Sequence, residues 1–214
     1  MAAVSGLGKQ VAKPRGLRFG ALWVGLLVAT ASCSQPESGY REDPGACSVV
    51  SERSIVEQLG QEAVQFPNTA ETNDTDTTRS SKCEWESFHS PNWGNPAQAK
   101  ITVTIRVSVT EDGDPNVRAA EGSYQMSGRP GEIADSPPMV IGDVSRHSFE
   151  PGRDQGPGSQ VATVDFRRAN AHVTVEYRGW GDRDFSNHFL PREQHEAATR
   201  DIAQQVHAEL GEPK

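Results

Sequence analysis

The segment Gly142–Phe149 holds Asp143, Ser145, His147 and Ser148, the residue types of a nucleophile, a base and an orienting carboxylate. Four polar residues in one loop make a triad only when geometry aligns them. The segment is thus the loop a hydrolase would use if the chain were catalytic. Asp112–Asn116 begins like a calcium loop, with side-chain oxygens at alternate positions. Val117, however, stands where the sharp turn needs glycine, and Ser123 where a bidentate glutamate belongs, so a plain loop is expected. His188 and His195 flank Pro191 and read as a solvated helix entrance rather than a metal pair. No G-x-S-x-G, S-x-x-K, H-E-x-x-H or phosphate-binding loop occurs in the exported part. The expectation is therefore no catalytic set, no metal and no cofactor.

Three tryptophans remain. Trp85 shares a strand face with Cys83 and is expected in the core. Trp93, in HSPNWGNP, and Trp180, in RGWGDRDF, sit among Gly, Pro and Asn. An indole in such a loop offers a large apolar area with one donor, which suits a glycan, lipid or protein partner. Both are candidate ligand-binding residues.

The elements that would position these groups can be read from periodicity. SVVSERSIVEQLGQ after Cys47 sets Ile55 and Leu59 four apart, with Ser51 or Ser54 as N-cap, Ser54 with Glu57 as a capping box, and Gly60 as the stop. Asn68–Ser81 is a polar, low-complexity loop. Lys82–Phe88 alternates as a strand, and Ala99–Thr110 does so most clearly: Ile101, Val103, Ile105, Val107 and Val109 face one way, Thr and Arg the other. Val117–Met126 has a mixed, helix-compatible pattern, and Gly142-Asp143 reads as a turn between two extended pieces. Glu150–Ser159 is a Gly/Pro loop. Gln160–Trp180 reads as a hairpin about Arg168–Asn170. From Pro191 on, Ala198, Ile202, Val206 and Leu210 recur every fourth residue and mark an amphipathic helix. The order implies an α+β single domain, an antiparallel sheet with helices packed on one face, stapled by one disulfide.

The first 32 residues hold Lys9, Lys13, Arg15 and Arg18, no acidic residue, and an apolar run of thirteen residues from Phe19 to Ala31. That run is shorter than the about 20 residues a spanning helix needs, so an export signal over 1–32 is expected. Two cleavage chemistries compete. Thr30-Ala31-Ser32-Cys33 looks like a lipobox, in which Cys33 receives a diacylglyceryl group; Ala29-Thr30-Ala31 reads as an A-x-A site that would free a soluble protein. Residues 33–45, polar and rich in Pro, Gly and charge, read as a lipidated flexible tether, and 46–214 as the globular domain.

Without residues 1–32 and their four basic groups, 17 Lys+Arg stand against 29 Asp+Glu, a formal charge of −12. So acidic a surface repels phosphate backbones, and nucleic acid is not an expected partner. Of three cysteines, an acylated Cys33 leaves Cys47 and Cys83, and an even remainder in an exported chain predicts a disulfide.

These residues carry a family likeness. The chain resembles small actinobacterial cell-envelope lipoproteins whose domain has no assigned function. The shared pattern is a lipidated cysteine and polar tether, Cys47 before a helix ending Leu59-Gly60, and Cys83-Glu84-Trp85. It continues through the Gly142-Asp143 turn, the strand pair Val164–Val175 and a terminal helix. Ser145 departs from the alanine common in that family. The resemblance implies a location and a fold, and supplies no catalytic residues. The expectation is a membrane-anchored, extracytoplasmic, non-enzymatic binding or interaction module, its partner an envelope protein, glycan or lipid. The alternatives are an envelope hydrolase using Gly142–Phe149, an accessory subunit of an envelope complex, and, if Cys33 is not acylated, a secreted soluble protein.

Overall fold

In the computed structural model, residues 38–60, 64–65, 71–87, 98–127, 140–152, 159–180 and 192–214 are described. Helix α1 (Glu52–Leu59) is followed by two short strands, β1 (Val64–Gln65) and β2 (Glu71–Thr72), and two long ones, β3 (Thr78–Ser87) and β4 (Gln98–Ser108). Helix α2 (Val117–Met126) leads to β5 (Val144–Gly152), β6 (Ser159–Arg168) and β7 (Ala171–Trp180), and helix α3 (Arg192–Glu209) closes the order. All strand pairs are antiparallel, in the order β1-β3-β4-β7-β6-β5, with β2 also on β3. The fold is α+β, as the periodicities predict, and Gln35–Lys214 forms one compact unit.

Alternation along the two central strands creates the core. Ile101, Val103, Ile105 and Val107 of β4 lie opposite Tyr177, Val175, Val173 and Ala171 of β7, all buried. Cys83 and Trp85 continue this face on β3, and Val164 and Phe166 on β6. β-Branched side chains fit such a pleated surface, and one buried face fixes the register.

Helix α3 covers this face with Ala198, Ile202 and Val206, the four-residue repeat read from the sequence, and adds His195, Thr199 and Ala203. Helix α1 covers the β3 end through Ile55 and Leu59. Its N-cap is Ser51, whose side chain accepts from the Ser54 amide, and Glu57 pairs with Arg53 rather than closing a capping box. Gly60 takes a φ of 90°, which favours glycine at this stop. The Cys47–Cys83 disulfide, with Cα atoms 5.1 Å apart, joins the start of this region to β3.

Helix α2, in the stretch whose pattern was mixed, lies against the opposite face of the sheet. Its Tyr124 ring meets the ring of His172 edge-on at 5.7 Å, and His172 points away from Val173 and Ala171.

Three expectations are corrected here. The loop of 68–81 is partly strand, because Glu71 and Thr72 pair with Lys82 and Ser81, and β3 begins at Thr78. Polar residues suffice there, since β4 supplies the hydrogen bonds and the buried face begins only at Ser81. The end of the tether is docked. The Gly39 amide donates to the Lys214 carbonyl, the Ala46 amide to Ser81, and Arg41 pairs with Asp114. His195 is fully buried between the rings of Tyr177 and Phe149 instead of solvated, because its turn of α3 falls on the apolar stripe.

Candidate functional site

The face of the sheet opposite the core presents the polar members of the same alternation. Across β3, β4, β7 and β6, one cross-strand row reads Glu84, Thr102, Glu176, Thr163, and the next Lys82, Thr104, Thr174, Asp165. Together they line a groove of about 770 Å³, bounded toward α2 by Ser127 and extended by Lys100, Arg106 and Arg178. A sheet places these groups rigidly, because every backbone amide between them is held in the ladder.

Two carboxylates in the groove are neutralised by neighbours. Glu84 lies 2.9 Å from the Lys82 ammonium and 3.0 Å from that of Lys100. Burial pushes its carboxyl up, but hydrogen bonds and charge from the two lysines outweigh this and hold it below its ordinary value. Asp165 accepts from the Thr174 hydroxyl at 2.6 Å, faces the Arg146 guanidinium at 3.4 Å and His172 Nε2 at 3.5 Å. Burial again raises the pKa, and the bonds from His172 and Thr174 with the charge of Arg146 bring it below the ordinary value.

Arg146 also donates to the Tyr124 carbonyl and the Ser127 hydroxyl, and its guanidinium lies over the Tyr124 ring at 4.3 Å. Ser123 and Ser127 approach the two nitrogens of His172 at 3.4 and 3.3 Å. This serine, histidine and aspartate set lies under α2. The Ser127 hydroxyl donates to the Tyr124 carbonyl, and its contacts with His172 and Arg146 dock the end of the helix on the sheet.

The residues singled out by sequence fall elsewhere. Cys33 and Trp93 lie outside the described residues, as do His188 and Pro191. Trp180 ends β7, in register with Gln98 and Ser159. Cys47 and Cys83 are joined, and Trp85 is buried on the same strand face as Cys83. The Gly142–Phe149 segment is a turn entering a strand. Asp143 accepts from the Ala169 amide at 2.8 Å and pairs with Arg167 at 3.0 Å, and the Ser145 hydroxyl accepts from the Ile141 amide. Gly142, at a φ of 66°, lies so close to the Arg167 carbonyl that a Cβ would collide with it. In the 112–116 loop, Asp114 is engaged by Arg41, and Asn116 caps α2 through the Ala119 amide.

Sequence reasoning saw the Thr and Arg positions of β4 only as a solvated face. The signal that pointed further was Asp165, an acidic residue set between the apolar Val164 and Phe166 of a hairpin strand. No family model matches the chain, and no curated protein does.

Proposed function

We propose that this chain is a membrane-anchored extracytoplasmic lipoprotein that acts as a non-enzymatic binding module, with the polar groove as its binding surface. The observation that carries the binding reading is the groove itself: a concave, rigid array of hydroxyls and ions on a sheet whose other face forms the core. The location rests on the basic, apolar leader ending at Cys33. The Cys47–Cys83 disulfide supports it, since such bonds persist in oxidising compartments.

Two measurements test this. Mass spectrometry of the native N-terminus should find an acylated Cys33, and Cys33→Ala should move the protein from the membrane to the soluble fraction. A free terminus just before Cys33, with the protein in the medium, overturns the anchor. For binding, Lys82 and Lys100 report occupancy, as both are partly accessible. A cell-envelope fraction added to the full chain in detergent should slow amine acylation of these two lysines relative to a cytoplasmic fraction. Equal acylation in both overturns the binding reading.

A further inference from the structure

The chemistry of the groove defines the class of molecule it suits. Four threonines, Thr102, Thr104, Thr163 and Thr174, contribute hydroxyls along its floor. Thr174 already donates to Asp165 and Thr102 to Glu84, so these two offer lone pairs, Thr104 and Thr163 can both donate and accept, and together they match a ligand that is itself dense in hydroxyls. Long acyl chains find no apolar trough among residues of this kind. An extended peptide adds to a sheet through an open edge, whereas β4 and β7 are paired on both sides.

Charge refines the assignment. The lining holds four cations, Lys82, Lys100, Arg106 and Arg178, against three carboxylates, in a chain whose formal net charge is −8. Glu84 and Asp165 are already neutralised by neighbouring cations. Arg106 is exposed, and its side chain forms no hydrogen bond or ion pair among the described residues. Lys82 stands between the ends, beside Thr104, and the other three cations lie at the two ends. Lys100 stands directly opposite Arg178, while Arg106 is six positions further along β4, roughly 20 Å away at the rise of a strand. Lys82 and Lys100 share the single Glu84 carboxylate, so this cluster keeps a net positive charge that a further negative group can meet.

Resting on the reading of the groove as a binding surface, we propose that it is a site for an extended acidic oligosaccharide, a linear glycan carrying carboxylate groups. Its anionic groups meet the two lysines, Lys82 and Lys100, that share Glu84 on one side and Arg106 on the other, and its hydroxyls exchange hydrogen bonds with the threonines of the groove.

The test uses the full chain in detergent micelles, titrated calorimetrically with an oligogalacturonate, with its methyl ester, which keeps the hydroxyls and removes the charge, and with poly-glutamate of equal length. The oligogalacturonate should bind, more weakly as salt rises, and at least about ten-fold more tightly than either control. Arg106→Gln should weaken it about ten-fold, the scale of one charge-assisted hydrogen bond, and Lys100→Gln likewise. Arg53→Gln, on the exposed side of α1 and outside the groove, should leave it unchanged. Circular dichroism establishes that each variant is folded, and Arg106, being exposed, provides the variant that disturbs packing least. Equal affinity for the ester or for poly-glutamate, or an Arg106→Gln chain that binds like the parent, overturns the ligand class. Absence of oligogalacturonate binding also overturns it. If the envelope fraction still protects Lys82 and Lys100, only this assignment falls; if that protection is absent too, the binding reading falls with it.

Discussion

Asn170 and Tyr40 exchange two hydrogen bonds: the Tyr40 amide donates to Asn170 Oδ1 at 2.7 Å, and Asn170 Nδ2 donates to the Tyr40 carbonyl at 2.7 Å. The same Nδ2 reaches the Ser108 carbonyl at 2.6 Å. A fully buried amide side chain thus acts as a piece of strand, tying the segment before α1 to the β6–β7 turn and the end of β4.

Asn170→Ala should therefore cost more than a turn residue ordinarily does. It leaves the Tyr40 amide and carbonyl without their partner, while the Ser108 carbonyl keeps the Asn116 amide, and each buried unsatisfied group costs about 1–3 kcal/mol. A loss of roughly 3 kcal/mol is expected in urea unfolding, with earlier protease cleavage between 38 and 46. A variant with the parent's midpoint would show that water replaces the side chain.

That contact also shows where the sequence was legible and where it was not. The hairpin about 168–170 was readable because valines and an aromatic alternate on both sides of it, and burial of one face fixes such a register. The β4 strand and the stripe of α3 were readable for the same reason. The docking of Tyr40 was not, because it rests on one amide side chain 130 positions away and on no periodic pattern. The groove was half legible: alternation revealed its threonines, but their adjacency to Asp165 and Arg178 exists only once β7 lies between β4 and β6.

The disulfide is expected to stabilise the region around α1, though not alone. Val49, Val50, Ile55 and Leu59 are all buried, and the Tyr177 hydroxyl donates to the Gln58 carbonyl at 3.4 Å, so this segment has more anchors than its short helix suggests. Replacing Cys47 and Cys83 with serine should lower stability by up to about 4 kcal/mol through the loop spanning 36 positions. Thermal unfolding should begin earlier, and residues 47–60 should become protease-sensitive before α3. Two alkylatable thiols in the parent protein would refute the bond itself.

His195 makes stability depend on pH. Burial against Tyr177 and Phe149 pushes its pKa down to about 4 from 6.5. The unfolded chain then binds a proton that the folded chain refuses, so stability is full above about pH 6.5 and declines as pH falls toward 4. The loss expected between pH 7 and 4.5 is about 2–3 kcal/mol. His195→Gln should lack that decline while being less stable at pH 7. Glu84 and Asp165, held below their ordinary values, add a separate loss that begins as pH falls through about 4–5 and grows below it. Denaturant titrations of both proteins at pH 7, 5.5 and 4.5 measure the difference, and parallel curves would remove His195 as the cause.

Asp165 is expected to hold α2 without touching it. Its carboxylate lies beside Arg146 and His172, and these two side chains carry the contacts to Tyr124, Ser123 and Ser127. Asp165→Asn keeps the size and removes the charge, leaving the Arg146 guanidinium without its counter-ion in a partly buried site. Breaking a fully buried pair costs about 3–5 kcal/mol, and the partial exposure of Arg146 reduces this to roughly 1–3. Because only the α2 side of the sheet depends on this network, the loss should be local. Amide exchange over 117–126 should quicken while β4, whose packed face is covered by other elements, keeps its protection. Pairing the change with Arg146→Met should restore part of the stability, since removing both charges leaves neither one buried alone. If Asp165→Asn instead slows nothing and quickens nothing in α2, the helix is held by Ala120 and Tyr124 through packing, and the ion network is incidental to its docking.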